Sequence, residues 1–244
     1  MSAICAVYRR ELGAYVNTPI GYVVVIAFLL LAQYIYVAMS LFVTGLAEMR
    51  EFFHPWIPFL FLIFVPALAM RLWAEERQVG TLELLMTFPV RTWQAVLAKF
   101  SAGLTFLALM MALTFPLPLA LYFLASQPGP DWGPIIGGYL GSLVLGMIYL
   151  SIGAFASSLT RDQIIAFVIG VALGAIFFLI GYPPVVAFIR DFNPDLASAL
   201  QRFGVIPHFE SISRGVVDTR DLIYAVTVSG FFLLLNILVI ERRR

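Results

Sequence analysis

The chain has 244 residues, of which 61% are apolar and 12% charged, and its mean hydropathy is +0.96. A soluble domain carries about twice that charge, and a disordered chain needs low hydrophobicity, so both classes are excluded and a membrane protein remains. Fifteen Lys and Arg against fourteen Asp and Glu leave a net charge of +1, too little to hold nucleic acid, and a single cysteine, Cys5, excludes a disulfide within the chain.

In chain order, the first expected element is a helix over residues 3–17. It places Ile4, Val7, Tyr8, Tyr15 and Val16 near one face and Arg9, Arg10 and Glu11 elsewhere, which suits a helix lying in a membrane interface. No short apolar core with a small-residue cleavage site occurs there, so no cleavable signal peptide is expected. Uncharged stretches follow at Ile20–Val43, Phe52–Met70, Phe100–Ser126, Trp132–Thr160, Gln163–Ile189 and Leu222–Ile240, each long enough to cross about 30 Å as a helix. Continuous runs such as Val23 to Leu31 have no period of two, which rejects a barrel. Pro116 and Pro118 predict a kink in the third span, and Pro183-Pro184 an exit from the fifth. Glycines at 137, 138, 141, 146 and 153 in the fourth span, and at 170, 174 and 181 in the fifth, predict close helix packing. Asp195–Phe203 and Phe209–Val217 read as short helices ahead of the last span. The expected fold is an all-α polytopic membrane protein of one domain, residues 1–244. Its parts are six transmembrane helices, an amino-terminal interfacial helix, a coupling helix within 74–92 and short external helices within 187–221.

Six spans return the chain to the side on which it starts. Ten of the fifteen basic residues fall on that side and five on the other, so both termini are expected in the cytoplasm.

Several chemistries are missing. The six runs contain no Asp, Glu, Lys or Arg, which disfavours a proton- or sodium-driven carrier. His54 and His208 both fall at membrane boundaries, with no second histidine or cysteine nearby to suggest a metal site, and no histidine lies at the depth an intramembrane serine protease needs. The lone lysine, Lys99, sits in Leu97-Ala98-Lys99-Phe100-Ser101, whereas a phosphate-binding loop requires Gly-Lys followed by Ser or Thr. No catalytic, metal or cofactor site is expected, and any ATP that drives the protein must bind another polypeptide.

The most informative polar stretch joins spans two and three. Gly80 permits a turn and Thr81 offers an N-cap; Leu82, Leu85 and Met86 then share one helical face, with Glu83 and Thr87 on another. Pro89 ends this helix, and Thr92 is expected to cap the next. A short amphipathic helix held between two spans suits the passage of force from a soluble partner into the bilayer. Glu75-Glu76-Arg77, Gly80-Thr81-Leu82-Glu83-Leu84-Leu85, Thr87 and Pro89, trailed by Trp93 and Lys99, resemble the signature of ABC-2 type ABC transporter permeases. A second stretch, His208 to Asp221, resembles the external loop before the last span in the gliding-motility-associated branch of that family.

The resemblance implies the permease subunit of an ATP-driven exporter in a bacterial inner membrane. It implies a second permease subunit beside this one, a cytoplasmic ABC ATPase dimer below, and ATP and Mg on the ATPase rather than on this chain. In this implied arrangement Glu75, Glu76, Arg77, Gly80, Thr81, Leu82, Glu83, Leu84, Leu85, Thr87 and Pro89 form the ATPase-coupling segment. Phe209, Arg214 and Asp218 are candidates for an outer gate, and a companion subunit with a large external domain is usual for the branch. Membrane lipid is the remaining partner, and no nucleic acid is expected. The competing class is an ATPase-linked anchor or mechanotransmission subunit of an external complex that moves no solute.

Overall fold

The structure, a computed structural model, describes residues 3–41, 49–82, 90–124, 131–215 and 218–242, and among them every regular element is helical. Helix α1 is Ala3–Asn17 and α2 is Pro19–Ile35, continued by a π-helical turn Tyr36–Leu41. Thr18 separates them because its backbone is extended (φ −101°, ψ 142°) ahead of a proline that occupies the first position of α2. The segment Phe52–Trp56, kinked at His54 where the backbone is extended (φ −131°, ψ 118°), opens the second span and leads into α3, Ile57–Ala69, and α4, Arg71–Val79. The third span is α5, Thr92–Ala112, followed after a turn by α6, Pro116–Leu124; the fourth is α7, Trp132–Leu159; the fifth is α8, Gln163–Gly181. Three short helices follow, α9 (Pro183–Phe192), α10 (Pro194–Phe203) and α11 (Val205–Ser213), before the sixth span α12, Thr219–Glu241.

Six helices are long and apolar enough to cross a membrane, in agreement with the expected polytopic all-α fold. Their limits differ from the hydropathy reading in physically simple ways. The second span runs past a turn at Met70 and continues as α4 to Val79, so Glu75, Glu76 and Arg77 lie on a helical extension rather than in a loop. The fifth ends at Gly181 instead of Ile189: Tyr182 is extended, and Pro183 and Pro184 start a separate helix that apolar composition alone had merged with the span. Of the short helices, α10 begins one residue before the expected Asp195, and α11 begins at Val205 rather than Phe209. The ends of the first and third uncharged runs, Phe42–Val43 and Ala125–Ser126, lie outside the described residues.

Helix α7 is the centre of the bundle and packs against α3, α5, α8, α11 and α12. Its glycines make this possible. A Cβ on Gly138 would lie 2.3 Å from the Phe53 ring, one on Gly146 2.5 Å from Leu107, and one on Gly153 2.5 Å from Ala69, so three neighbouring segments occupy the space that side chains would take. The small-residue stripe is therefore used for packing inside the subunit. The outer spans show the opposite pattern, with Val23 and Leu30 on α2, Ile164 and Val168 on α8, and Ile223 and Leu234 on α12 all exposed. Apolar side chains in such number on the outside belong against lipid or another apolar surface.

Candidate functional site

The coupling segment hangs from α4, and the described part of it ends at Leu82. Glu83, Leu84, Leu85, Thr87 and Pro89 lie outside the described residues, as does Met86. Gly80 ends α4 with φ +76° and ψ 11°, the left-handed geometry that glycine adopts without a Cβ penalty. The Thr81 hydroxyl donates back to the Glu76 carbonyl at 3.4 Å at the end of α4; the backbone N–H groups it is expected to cap, at residues 83 and 84, lie outside the described residues. Leu82 is half-buried against the core. At the other side of the segment the N-cap of α5 is Arg91 rather than Thr92, because the Gln94 side chain reaches back to accept from the Arg91 backbone at 3.1 Å.

Above Gly80, α4 is fastened on three sides. The helix junction at Met70 leaves backbone groups of the first turn of α4 in need of partners. Ser157 of α7 supplies them: its Oγ accepts from Trp73 N and Ala74 N, each at 3.0 Å, and donates to the Met70 carbonyl at 2.6 Å. Arg77 donates to the Ser158 carbonyl nearby. Towards α1, Arg71 spans three groups, donating to Thr18 Oγ1 at 2.6 Å, pairing with Glu75 Oε2 at 3.0 Å and lying over the Tyr15 ring. The Tyr15 hydroxyl donates to the Leu68 carbonyl at 3.0 Å, and its ring stacks on Phe106 of α5. Burial pushes the Tyr15 phenol far above its ordinary range; Glu11 and Glu75 add to the rise and Arg71 opposes it.

The third fastening is ionic. Lys99 of α5, 1% exposed, places Nζ 2.8 Å from Glu11 Oε1 on α1, 3.0 Å from Glu76 Oε1 on α4, and over the Trp73 ring. Arg10 adds a second cation to Glu76 at 3.1 Å. Two cations thus face two carboxylates, and three helices meet at one neutral cluster whose members are distant in sequence. Glu76 Oε2 is buried and has no hydrogen-bond partner among the described residues. Of the three charged residues expected to meet an ATPase, Glu76 is turned inward into this cluster, Arg77 is bound to α7, and Glu75 has a half-exposed carboxylate, 42% exposed, with Oε2 held by Arg71. Sequence reading missed Lys99, Glu11 and Arg10 as members of the site. The available signal was a single lysine in the run Val96 to Phe100, since a lone cation among apolar residues calls for a buried partner.

At the opposite end of the bundle the gate candidates take three different places. Phe209 is buried over Gly141 of α7, and Arg214 caps α11 and pairs with Glu210 at 3.3 Å. Asp218 is the N-cap of α12 and accepts from Arg220 N at 2.9 Å. Beside them, His208 on α11 joins the Asp221 carboxylate at 2.7 Å and stacks on Tyr224. His54 Nε2, at the start of the second span, lies 3.2 Å from Glu210. Each of the two histidines therefore ties α11 to a neighbouring span. Among the described residues no cluster of three or more His, Cys, Asp and Glu could hold a metal.

Compared with known proteins, residues 44–209, about two thirds of the chain, match the family described as ABC-2 family transporter protein. No curated protein matches the chain.

Proposed function

This chain belongs to the ABC-2 family of transporter proteins and is the membrane subunit of an ABC transporter, and from that premise we propose that it is an exporter permease driven by a separate ATPase dimer that docks at the α4 end. The reading places both termini, α1 and Gly80 in the cytoplasm of a bacterium, as the basic residues favour. A second permease subunit then stands beside this one, and ATP and Mg are held by the ATPase.

The observation that supports it best is the fastening of α4. Force applied at the segment after Gly80 enters a helix that cannot yield by itself, because Lys99, Ser157 and Arg71 link it to α5, α7 and α1. A push from below is then delivered to three elements as one body, and α4 is continuous through Met70 with the second span. Glu75 and Glu83 remain as the charged contacts to the ATPase; Glu76 becomes an internal strut. Membership of the gliding-motility-associated branch, a companion subunit with an external domain, and an outer gate at α11 are read from the likeness of the 208–221 stretch to that branch and are part of the same proposal; the branch name does not itself imply gliding.

The test is Glu83→Arg. Reversing a charge at a partly desolvated contact costs about 2–5 kcal/mol, against less than about 1 on a solvated surface. ATPase co-purification is expected to fall more than tenfold, or hydrolysis to lose its response to substrate, while the six spans insert normally. Wild-type values for both would remove the coupling role from this segment. ATP turnover that depends on the subunit but moves no solute into vesicles would select the anchor reading instead.

A further inference from the structure

At the end of the bundle remote from α1, the start of the second span, the first turn of α7 and helix α11 line an open cavity of about 590 Å³. That volume lies in the range of sites for small molecules. Five of its lining residues are ionisable, Arg50, Glu51, His54, Glu210 and Arg214, in a chain that is only 12% charged.

The hydrogen-bonding capacity left over is one-sided. Both oxygens of Glu210 are engaged, Oε1 with His54 Nε2 at 3.2 Å and Oε2 with Arg214 Nη2 at 3.3 Å. Glu51 also has a partner. By contrast Arg50 is exposed and makes no ion pair or hydrogen bond among the described residues, and Arg214, 62% exposed, commits only one of its N–H groups to Glu210. His54 Nδ1 is buried and has no hydrogen-bond partner among the described residues. Two guanidinium groups with spare donors, beside carboxylates that already have partners, favour an oxyanion.

The level of the cavity narrows the choice. Trp56 lies two residues after His54, and Trp132 two before Pro134, which also lines the cavity. Tryptophans at the ends of spans mark the depth of lipid headgroups. At that depth the abundant oxyanion is phosphate, for which arginine is well matched in shape and charge. We propose that this cavity binds a phosphate group, with Arg50 and Arg214 as its ligands and His54 on the wall. The phosphate comes either from the headgroup of a phospholipid or from a free organophosphate. The proposal concerns a site apart from the ATPase-coupling segment and holds whether or not solute is moved.

The experiment uses the full chain purified in neutral detergent. Retention of phosphatidylglycerol and of a phosphate-free glycolipid is read by native mass spectrometry, and glycerol phosphate binding by calorimetry, for wild type, Arg50→Gln/Arg214→Gln and Arg190→Gln/Arg202→Gln. The last pair removes the same charge from exposed arginines outside the cavity. Loss of phosphatidylglycerol by tenfold or more in the cavity variant alone, with glycolipid retention unchanged, supports a lipid source. Glycerol phosphate binding that vanishes only in the cavity variant supports a free one. Glu210→Gln, which frees Arg214 from its carboxylate, is expected to strengthen whichever binding is seen. Equal behaviour of wild type and the cavity variant, or an equal loss in both double variants, would overturn the proposal.

Discussion

Lys99 has the most demanding surroundings of any charged residue described. Its ammonium is almost fully removed from solvent and sits between two carboxylates on different helices. Such a pair adds little net stability relative to an apolar contact, but removing one partner leaves the others buried and uncompensated. Lys99→Met therefore should cost about 3–5 kcal/mol, since Glu11 and Glu76 would face each other without their central cation. Arg10→Gln removes a cation from the same carboxylate, yet the Arg10 side chain is 57% exposed and solvent already screens it, so its loss should cost less than about 1 kcal/mol. Thermal midpoints of the two purified variants in one detergent check this order. Equal midpoints would mean that the cluster is hydrated and carries no structural load. The inward turn of Glu76 was not legible from sequence, where it sits in a run of charges, Glu75-Glu76-Arg77, that reads as a solvated face.

Among elements, the passage from α4 to the coupling segment depends on one backbone conformation. Gly80 has φ +76°, and a Cβ placed there would meet nothing within 4 Å among the described residues. Any effect of substitution is therefore a backbone effect, about 1–2 kcal/mol for a residue that resists the left-handed region. Gly80→Val should redirect the segment and lower ATPase co-purification while leaving insertion intact, and Gly80→Asn, which tolerates the same φ, should recover most of the loss. Identical co-purification for both variants would show that the direction of the segment is unimportant. The turn at Gly80 and the breaks at Thr18 and Tyr182 are local events, and proline and glycine announce them in the sequence; Asp218, read there as a gate candidate, serves as a cap. The continuation of the span past Met70 as α4 was less legible, because hydropathy marks where apolar residues stop, and the partner that completes the start of α4, Ser157, is distant in sequence.

For the whole molecule, six apolar helices establish a multi-pass membrane protein, and its orientation is the largest open consequence. Gln78 on α4 and Ser198 on α10 are both exposed and belong to opposite ends of the bundle in the proposed topology. In a background without Cys5, a membrane-impermeant thiol reagent added to intact cells should label Ser198→Cys and spare Gln78→Cys until the cells are opened. The reverse pattern would invert the molecule and remove the ATPase from the α4 end.

By itself the sequence determined the membrane class, the number of spans, the helix breaks and the likeness to ABC-2 permeases. Each of these depends on composition or on residues within a few positions of one another. Tertiary structure alone decided which apolar faces are interior, since lipid-facing and core-facing residues are equally apolar and hydropathy does not separate Val23 from Val65. It also decided that Lys99 joins Glu11 and Glu76, that Ser157 completes the start of α4, and that Arg50 and Arg214 share a cavity. These partners come from separate helices, and only the packing of α1, α5, α7 and α11 fixes the distances on which their electrostatics depend.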